Sequence, residues 1–133
     1  MHMTLESDYA IRLVRTLAET ETRMDARSLS ERSDVTLRFA LKILGKLVSA
    51  GVVRSFKGTM GGYELAKASS AITLYDVIAA VEGPYRFSRC LADDYECPRN
   101  GDDGLCRVHK IFGEITEEVV RRLSGVTIES LQK

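Results

Sequence analysis

The chain has 133 residues, of which 44% are apolar and 29% are charged, a composition that excludes a disordered chain. This length allows one domain with a modest core, or a compact domain with an appended dimerisation element. Nineteen basic side chains balance nineteen acidic ones, so the chain is not a strongly basic domain and any polyanion contact needs a local basic patch. The apolar runs are short and no secretory signal is recognisable, so we expect a cytoplasmic protein with no membrane contact.

The first two predicted elements are helices. The first begins at Ser7, its predicted N-cap, and has an apolar stripe at helical spacing formed by Ala10, Leu13, Val14 and Leu17. After a polar break, a short second helix is predicted from its N-cap Asp25 to Ser33. This second helix is too short to be stable alone, so we expect it to pack against its neighbours.

The most regular helical pattern covers residues 35–50, with Thr36 as N-cap and Gly51 after its end. Its predicted buried face consists of Leu37, Ala40, Leu41, Leu44, Leu47 and Val48. Together with the short helix before it, this segment forms a helix-turn-helix pattern. The candidate DNA-binding residues outside the core are Thr36, Arg38, Lys42 and Lys46. The alternative is an ordinary solvated helix face.

Two short β-prone runs, at residues 52–56 and 63–66, flank a basic glycine-rich turn and predict a β-hairpin wing over residues 52–66. Its candidate DNA contacts are Arg54, Lys57 and Gly58, because glycine lets a backbone approach DNA closely. We assign phosphate contacts to the wing and base recognition to Thr36, Arg38 and Lys42. A tight hairpin without a DNA contact is the alternative.

The second half of the chain has two predicted helices and one long loop. Thr73 and Asp76 form a capping box that opens a helix through Val81, which ends at Gly83. Residues 85–105 have no sustained period and are predicted to be a loop, which at this length is usually functional. A long helix over residues 106–124 follows, with an apolar stripe of Val108, Ile111, Phe112, Ile115, Val119 and Leu123.

The predicted fold class is therefore mainly α with a small β-hairpin wing. We divide the chain into a winged helix-turn-helix domain at 1–83, a cysteine-bearing loop at 84–105, and a dimerisation helix with its tail at 106–133.

All three cysteines, Cys90, Cys97 and Cys106, lie in or beside this loop, and His109 follows the last by one helical turn. An odd number of cysteines disfavours a disulfide framework. Three thiolates and an imidazole can ligate zinc or an iron–sulfur cluster. The gaps of six and eight residues fit a loop-wrapped cluster better than a zinc site, which uses closer pairs. Free thiols are the alternative, although their polar surroundings are unlike a core.

Nearly the whole chain resembles the Rrf-type winged-helix transcription regulators, in particular their IscR-like and NsrR-like iron–sulfur repressors. The matching segments are Ser7–Ala10, Leu41–Leu47, Lys57–Gly58, Gly61–Tyr63, Ile72–Val81 and the cysteine loop. The resemblance implies a homodimer with crossed C-terminal helices, whose two winged-helix heads bind a palindromic operator in double-stranded DNA.

The same resemblance implies an iron–sulfur cluster, for which 2Fe-2S is favoured and 4Fe-4S is the alternative. In IscR-like members three loop cysteines and a histidine hold the cluster, which correspond here to Cys90, Cys97, Cys106 and His109. NsrR-like members use an acidic residue of the partner subunit, and Asp8 stands in that place here. Asp8 is thus an alternative fourth ligand, or a first-turn acid favoured by the helix dipole. CymR-like members carry no cluster, and the three cysteines here match them poorly.

The expected function is an iron–sulfur repressor that senses redox state, iron–sulfur status or nitric oxide. The alternatives are a cluster-free or zinc-containing thiol-switch repressor and a small electron-carrying iron–sulfur protein. The chain has no nucleophile–base arrangement and no phosphate-binding motif, so we expect neither an enzyme nor a small-molecule substrate.

Overall fold

The computed structural model of the protein describes residues 3–98 and 106–132. The described part is mainly helical, with one two-stranded antiparallel sheet. Its elements are α1 (Leu5–Thr20), α2 (Ala26–Ser33), α3 (Leu37–Ser49), β1 (Val53–Phe56), β2 (Gly62–Leu65), α4 (Leu74–Glu82) and α5 (Arg107–Ser124), with short 3-10 turns at Ser69–Ala71, Arg89–Leu91 and Glu129–Leu131. The predicted fold class, a mainly α protein with a β-hairpin wing, is confirmed.

The helix starts follow from side-chain caps. Asp25, Thr36 and Thr73 cap α2, α3 and α4 as predicted, and Thr73 forms the predicted capping box. The backbone and side chain of Ser28 donate hydrogen bonds to the Asp25 carboxylate, which lowers the pKa of Asp25. These caps satisfy N–H groups that have no partner inside their helices.

The prediction for the start of α1 was wrong. Thr4, rather than Ser7, is the N-cap, and its Oγ1 accepts a hydrogen bond from the Ser7 N–H at 3.2 Å. Ser7 is instead fully buried in the first turn, where its hydroxyl donates to Glu82 Oε1 at 3.0 Å. Both residues have the hydroxyl of a capping residue, so their local sequence alone does not separate them.

The core lies among α1, α2, α3 and α4, and its fully buried side chains include Leu13, Leu29, Ile43, Leu44 and Val77. The buried face of α3 differs from the prediction: Leu41 is 47% exposed, whereas Ile43, which the prediction omitted, is fully buried. The residues that face inward are Ala40, Ile43, Leu44 and Leu47, whose spacing of three and four residues follows the helical period. Leu41 lies beside this stripe and faces away from the core.

The β-hairpin is joined to the connection between α1 and α2. Its strands pair from Val53 with Leu65 to Phe56 with Gly62. Met24 forms an isolated antiparallel bridge with Tyr63, because its N–H donates to the Tyr63 carbonyl at 2.9 Å and its carbonyl accepts from the Tyr63 N–H at 2.7 Å. The wing is therefore tied by backbone hydrogen bonds to the helix-turn-helix.

Gly62 permits this junction, since its φ is 141° and an added Cβ would lie 2.5 Å from the Met24 carbonyl oxygen. We expect Gly62→Ala to lower the free energy of unfolding by at least about 1–3 kcal/mol through backbone strain alone. The matched control is Gly45→Ala at an exposed position of α3, where an added Cβ meets nothing within 4 Å. That change should raise stability by about 0.5–1 kcal/mol, and urea unfolding measures both. Equal stability of the two variants would contradict the account of Gly62.

The chain after α5 returns to the helical core. Backbone hydrogen bonds join Leu74 to Val126 at 2.9 Å and Ile128 to Ile72 at 2.8 Å. Ile128 is fully buried, and the Arg15 side chain donates to the Leu131 carbonyl at 3.0 Å. The C-terminal tail is thus part of the core that supports the helix-turn-helix.

Candidate nucleic-acid interface and cysteine segment

The outer face of α3 presents three of its four candidate DNA-binding residues. Thr36, Arg38 and Lys42 are exposed. The Thr36 hydroxyl accepts the Phe39 N–H at 3.4 Å, which fixes the side chain at the helix N-terminus. Arg38 and Lys42 are four residues apart and therefore lie one turn apart on the same face. The structure thus brings these polar and basic groups together at the first two turns of α3.

Lys46 lies one turn beyond Lys42 on the same face of α3, but its charge is engaged within the protein. Its ammonium group forms an ion pair with Glu6 Oε1 at 2.7 Å, and the lysine side chain is 38% exposed. The pair joins α3 to the first turn of α1. Because a carboxylate already neutralises much of its charge, Lys46 attracts a phosphate less than Lys42 does.

Two exposed apolar side chains on α3 were missed as possible DNA contacts. Phe39 is 46% exposed and Leu41 is 47% exposed. The Tyr9 ring packs edge-on against the Phe39 ring, with centroids 6.0 Å apart, and so restricts the orientation of Phe39. An apolar side chain on such a helix can contact the thymine methyl group in the major groove. Phe39 lies outside the predicted buried face of α3, which was a signal that it is exposed, whereas Leu41 was assigned to that face and no sequence signal separated it.

The wing presents its three candidate residues to solvent. Arg54 and Lys57 are exposed, and Gly58 has a φ of 90° in the turn. The Gly58 carbonyl accepts the Gly61 N–H at 3.0 Å, so the turn is closed by a backbone hydrogen bond. Met60 is 83% exposed at the tip. A basic ribbon of this kind can reach phosphates beside a groove.

Arg23, which the sequence did not indicate, contacts this wing from the connection between α1 and α2. Its Cζ lies 3.4 Å from the centroid of the Phe56 ring. Its Nη1 donates to the Met60 carbonyl at 3.1 Å, and its Nε lies 3.7 Å from Glu64 Oε2. These partners are distant along the chain, so no local pattern reveals them.

The cysteines are free, and they lie in three different local settings, of which the one around Cys97 is irregular. Cys90 lies in a 3-10 turn and is half-buried like Cys97, whereas Cys106 is exposed. Cys106 is the N-cap of α5, and its Sγ accepts the His109 N–H at 3.4 Å. Within residues 3–98 and 106–132, no three histidine, cysteine or acidic side chains are close enough together to hold a metal. The described residues therefore join Cys106 to His109 but do not gather the four predicted ligands.

The first part of the cysteine segment packs against α5. The Phe87 N–H donates to Thr116 Oγ1 at 3.0 Å, and the Phe87 ring meets the Phe112 ring edge-on at 5.0 Å. The guanidinium of Arg89 lies 5.2 Å from the Tyr95 ring centroid. The segment around Cys90 is therefore packed directly against α5.

Asp8, the alternative fourth ligand, forms a 3.0 Å ion pair with Arg12 on the solvent side of α1. Both side chains are more than a third exposed, so this pair contributes little to stability. Its neighbours Thr4 and Ser7 both hydrogen-bond to Glu82 at the end of α4. Asp8 thus has an arginine partner in its own chain.

Helix α5 has 18 residues, none of which is buried. Val108 and Ile111 are 54% and 52% exposed, although they belong to its apolar stripe. A groove beside α5, which also reaches the starts of α1 and the cysteine segment, is lined by Met3, Ile78, Tyr85, Val119 and Leu123 among others. An exposed apolar stripe beside a groove is a candidate surface for contact with another protein chain.

Comparisons with known proteins agree with this architecture. A family model described as Rrf2, iron-dependent transcriptional regulator, matches residues 3–133. A protein of Rhodobacter capsulatus, named as an rrf2-like HTH-type transcriptional regulator, is 30% identical over 97% of this chain and 91% of its own. The HTH-type transcriptional regulator IscR of Photorhabdus laumondii is 28% identical over 98% of this chain and 79% of its own.

The solved structure of CymR, the global cysteine regulator of B. subtilis, has the same fold. It matches with a TM-score of 0.76 at 22% identity and covers 98% of this chain and 95% of CymR. These relatives are regulators and not enzymes, in agreement with the sequence analysis. No helix in the described ranges is both long and apolar enough to span a bilayer. The chain belongs to the Rrf2 family of transcriptional regulators.

Proposed function

We propose that this Rrf2-family regulator is a cytoplasmic homodimer that binds a palindromic operator, with α3 in the major groove and the wing on neighbouring phosphates. The observation that carries the proposal is the joint exposure of Thr36, Arg38 and Lys42 on α3 and of Arg54 and Lys57 on the wing. The net charge is zero, so this local basic surface supplies the attraction to DNA. Lys46 has a supporting role through Glu6.

The homodimer is supported by the exposed apolar stripe of α5. This helix is about 27 Å long, and the exposed Val108 and Ile111 continue its stripe toward the neighbouring groove. A second copy of α5 covers such a face by apolar packing, as in other helical interfaces. Dimerisation then holds two recognition helices at a separation that suits half-sites about 34 Å apart.

The sensor is an iron–sulfur cluster held by Cys90, Cys97, Cys106 and His109, with 2Fe-2S favoured over 4Fe-4S and Asp8 of the partner as the alternative fourth ligand. The donor chemistry fits, because the chain offers three free thiols and an imidazole. Cys106 lies at the N-terminus of α5, where helix N–H groups favour the negative charge of a ligating sulfur. When bound, the cluster supplies one-electron redox chemistry and reactivity toward oxygen or nitric oxide.

Helix α5 transmits a change at the cysteine site to the DNA-binding surface. Phe87 and Thr116 couple the cysteine segment to that helix, and Val126 and Ile128 couple the chain after α5 to the helical core. Gathering Cys90 and Cys97 toward Cys106 requires the segment to move. That movement shifts α5, the proposed dimer helix, and so changes the distance between the two recognition helices.

A metal-free or zinc-containing thiol-switch repressor is the second candidate, for which the three free cysteines are the supporting observation. Anaerobic purification followed by visible absorbance and by iron and sulfide assays separates the two candidates. Coloured protein with equimolar iron and sulfide supports the cluster. Colourless protein that contains zinc or no metal, even after reconstitution with iron and sulfide, supports the thiol switch.

We expect Lys57→Ala to weaken binding to all DNA sequences alike and to lower the salt slope of binding by about one, because one phosphate contact is lost. Arg38→Ala should instead weaken operator binding more than binding to random DNA, because α3 reads bases. Fluorescence anisotropy with operator and scrambled duplexes at several salt concentrations measures both effects. A loss confined to the operator for Lys57→Ala would contradict this division of roles.

A further inference from the structure

Arg23 makes three different contacts with the wing. Its guanidinium lies over the Phe56 ring with Cζ 3.4 Å from the centroid. Nη1 donates to the Met60 carbonyl at 3.1 Å, and Nε faces Glu64 at 3.7 Å. The contacts therefore reach the end of β1, the tip of the turn and the middle of β2.

The position of these contacts matters because Lys57 and Gly58 lie between Phe56 and Met60. A residue that contacts both ends of this turn also restricts the position of Lys57. The turn itself has one internal backbone hydrogen bond, from Gly61 to Gly58. The backbone pairing of Met24 with Tyr63 anchors β2, so Arg23 adds the anchor at the tip.

We propose that Arg23 is a positioning residue for DNA binding, which fixes the wing tip so that Lys57 meets a phosphate. This inference rests on the proposed wing contact with DNA. Arg23 itself is poorly disposed to bind a phosphate, since one face of its guanidinium covers Phe56 and two of its nitrogens face Met60 and Glu64. The planar guanidinium of Arg23 contacts all three partners at once, which the single ammonium group of a lysine cannot do.

The alternative is a direct contact of Arg23 with DNA, and charge-preserving substitution distinguishes the two roles. If Arg23 positions the wing, Arg23→Lys should lose operator affinity nearly as Arg23→Ala does. Phe56→Leu, which removes the stacking ring without changing charge, should also lower affinity. Direct phosphate binding predicts that Arg23→Lys keeps most of the affinity and that Phe56→Leu has no effect.

The decisive experiment is a double-mutant cycle between Arg23→Ala and Lys57→Ala, with operator affinity measured by anisotropy. We expect each single change to weaken binding about tenfold, and the double variant to be no weaker than Lys57→Ala alone. Arg121→Ala on exposed α5 is the control for the loss of one positive charge. Additive losses, or full affinity of both Arg23→Ala and Phe56→Leu, would overturn the inference.

Failure of the positioning role and failure of the proposed phosphate contact give different results. Hydrogen exchange of the Gly61 amide in DNA-free protein should accelerate in Arg23→Ala and Phe56→Leu, whereas amides of the core helices should be unchanged. If Lys57→Ala binds normally, the proposed phosphate contact fails; the positioning role then stands only if both Arg23→Ala and Phe56→Leu weaken binding. Slow Gly61 exchange in both variants would show that the wing tip is not held by Arg23.

Discussion

Replacing Ile111 by aspartate is expected to convert the dimer into monomers and to lower operator affinity by about two orders of magnitude or more. Ile111 is 52% exposed in the single chain and lies on the apolar stripe of α5. In the proposed dimer the new carboxylate would be buried against apolar side chains without a partner, which costs several kcal/mol. A monomer contacts one half-site and loses the second head that the dimer provides.

Sedimentation velocity and operator anisotropy on the same sample measure this effect. Lys110→Asp is the matched control, because it introduces the same side chain one residue away on the opposite, exposed face of α5. That variant should remain dimeric and bind the operator normally. An Ile111→Asp protein that stays dimeric at micromolar concentration would exclude α5 as the dimer contact.

The second large effect is expected for Cys97→Ala, which should abolish a stable cluster and with it the response of DNA binding to oxidants. Three thiols and one further ligand complete the proposed set, so loss of one thiol leaves a coordination position that water or a weak ligand must fill. Cys97 is half-buried in an irregular segment outside the helical core. The fold should therefore survive the substitution.

Iron and sulfide per chain, visible absorbance, and operator affinity before and after oxidant exposure test this prediction. The control is Asp94→Ala, which changes an exposed residue of the same segment without removing a proposed ligand. Asp94→Ala should keep its iron and its response. If Cys97→Ala still changes operator affinity with cluster-directed oxidants, the proposed sensing mechanism is wrong.

The limits of sequence interpretation are clearest at the caps and at α3. Asp25, Thr36 and Thr73 were predicted correctly because each bonds to an N–H only a few residues away. Thr4 and Ser7 carry similar groups within one turn, and the burial of Ser7 in the first turn beside Glu82 depends on packing with a residue far along the chain. Leu41 was assigned to the core because an apolar side chain does not itself report whether it faces the core or solvent.

Local sequence patterns were enough to predict the helices apart from the start of α1, the hairpin wing, and the basic positions on α3 and the wing. Those features depend on periodicity, capping and residue chemistry, which act over a few residues. The tertiary structure alone decided the pairing of Met24 with the wing, the contacts of Arg23, the ion pair that occupies Lys46, and the burial of Ile128 in the core. Each of these joins residues distant in the chain, so it arises only when the elements pack together.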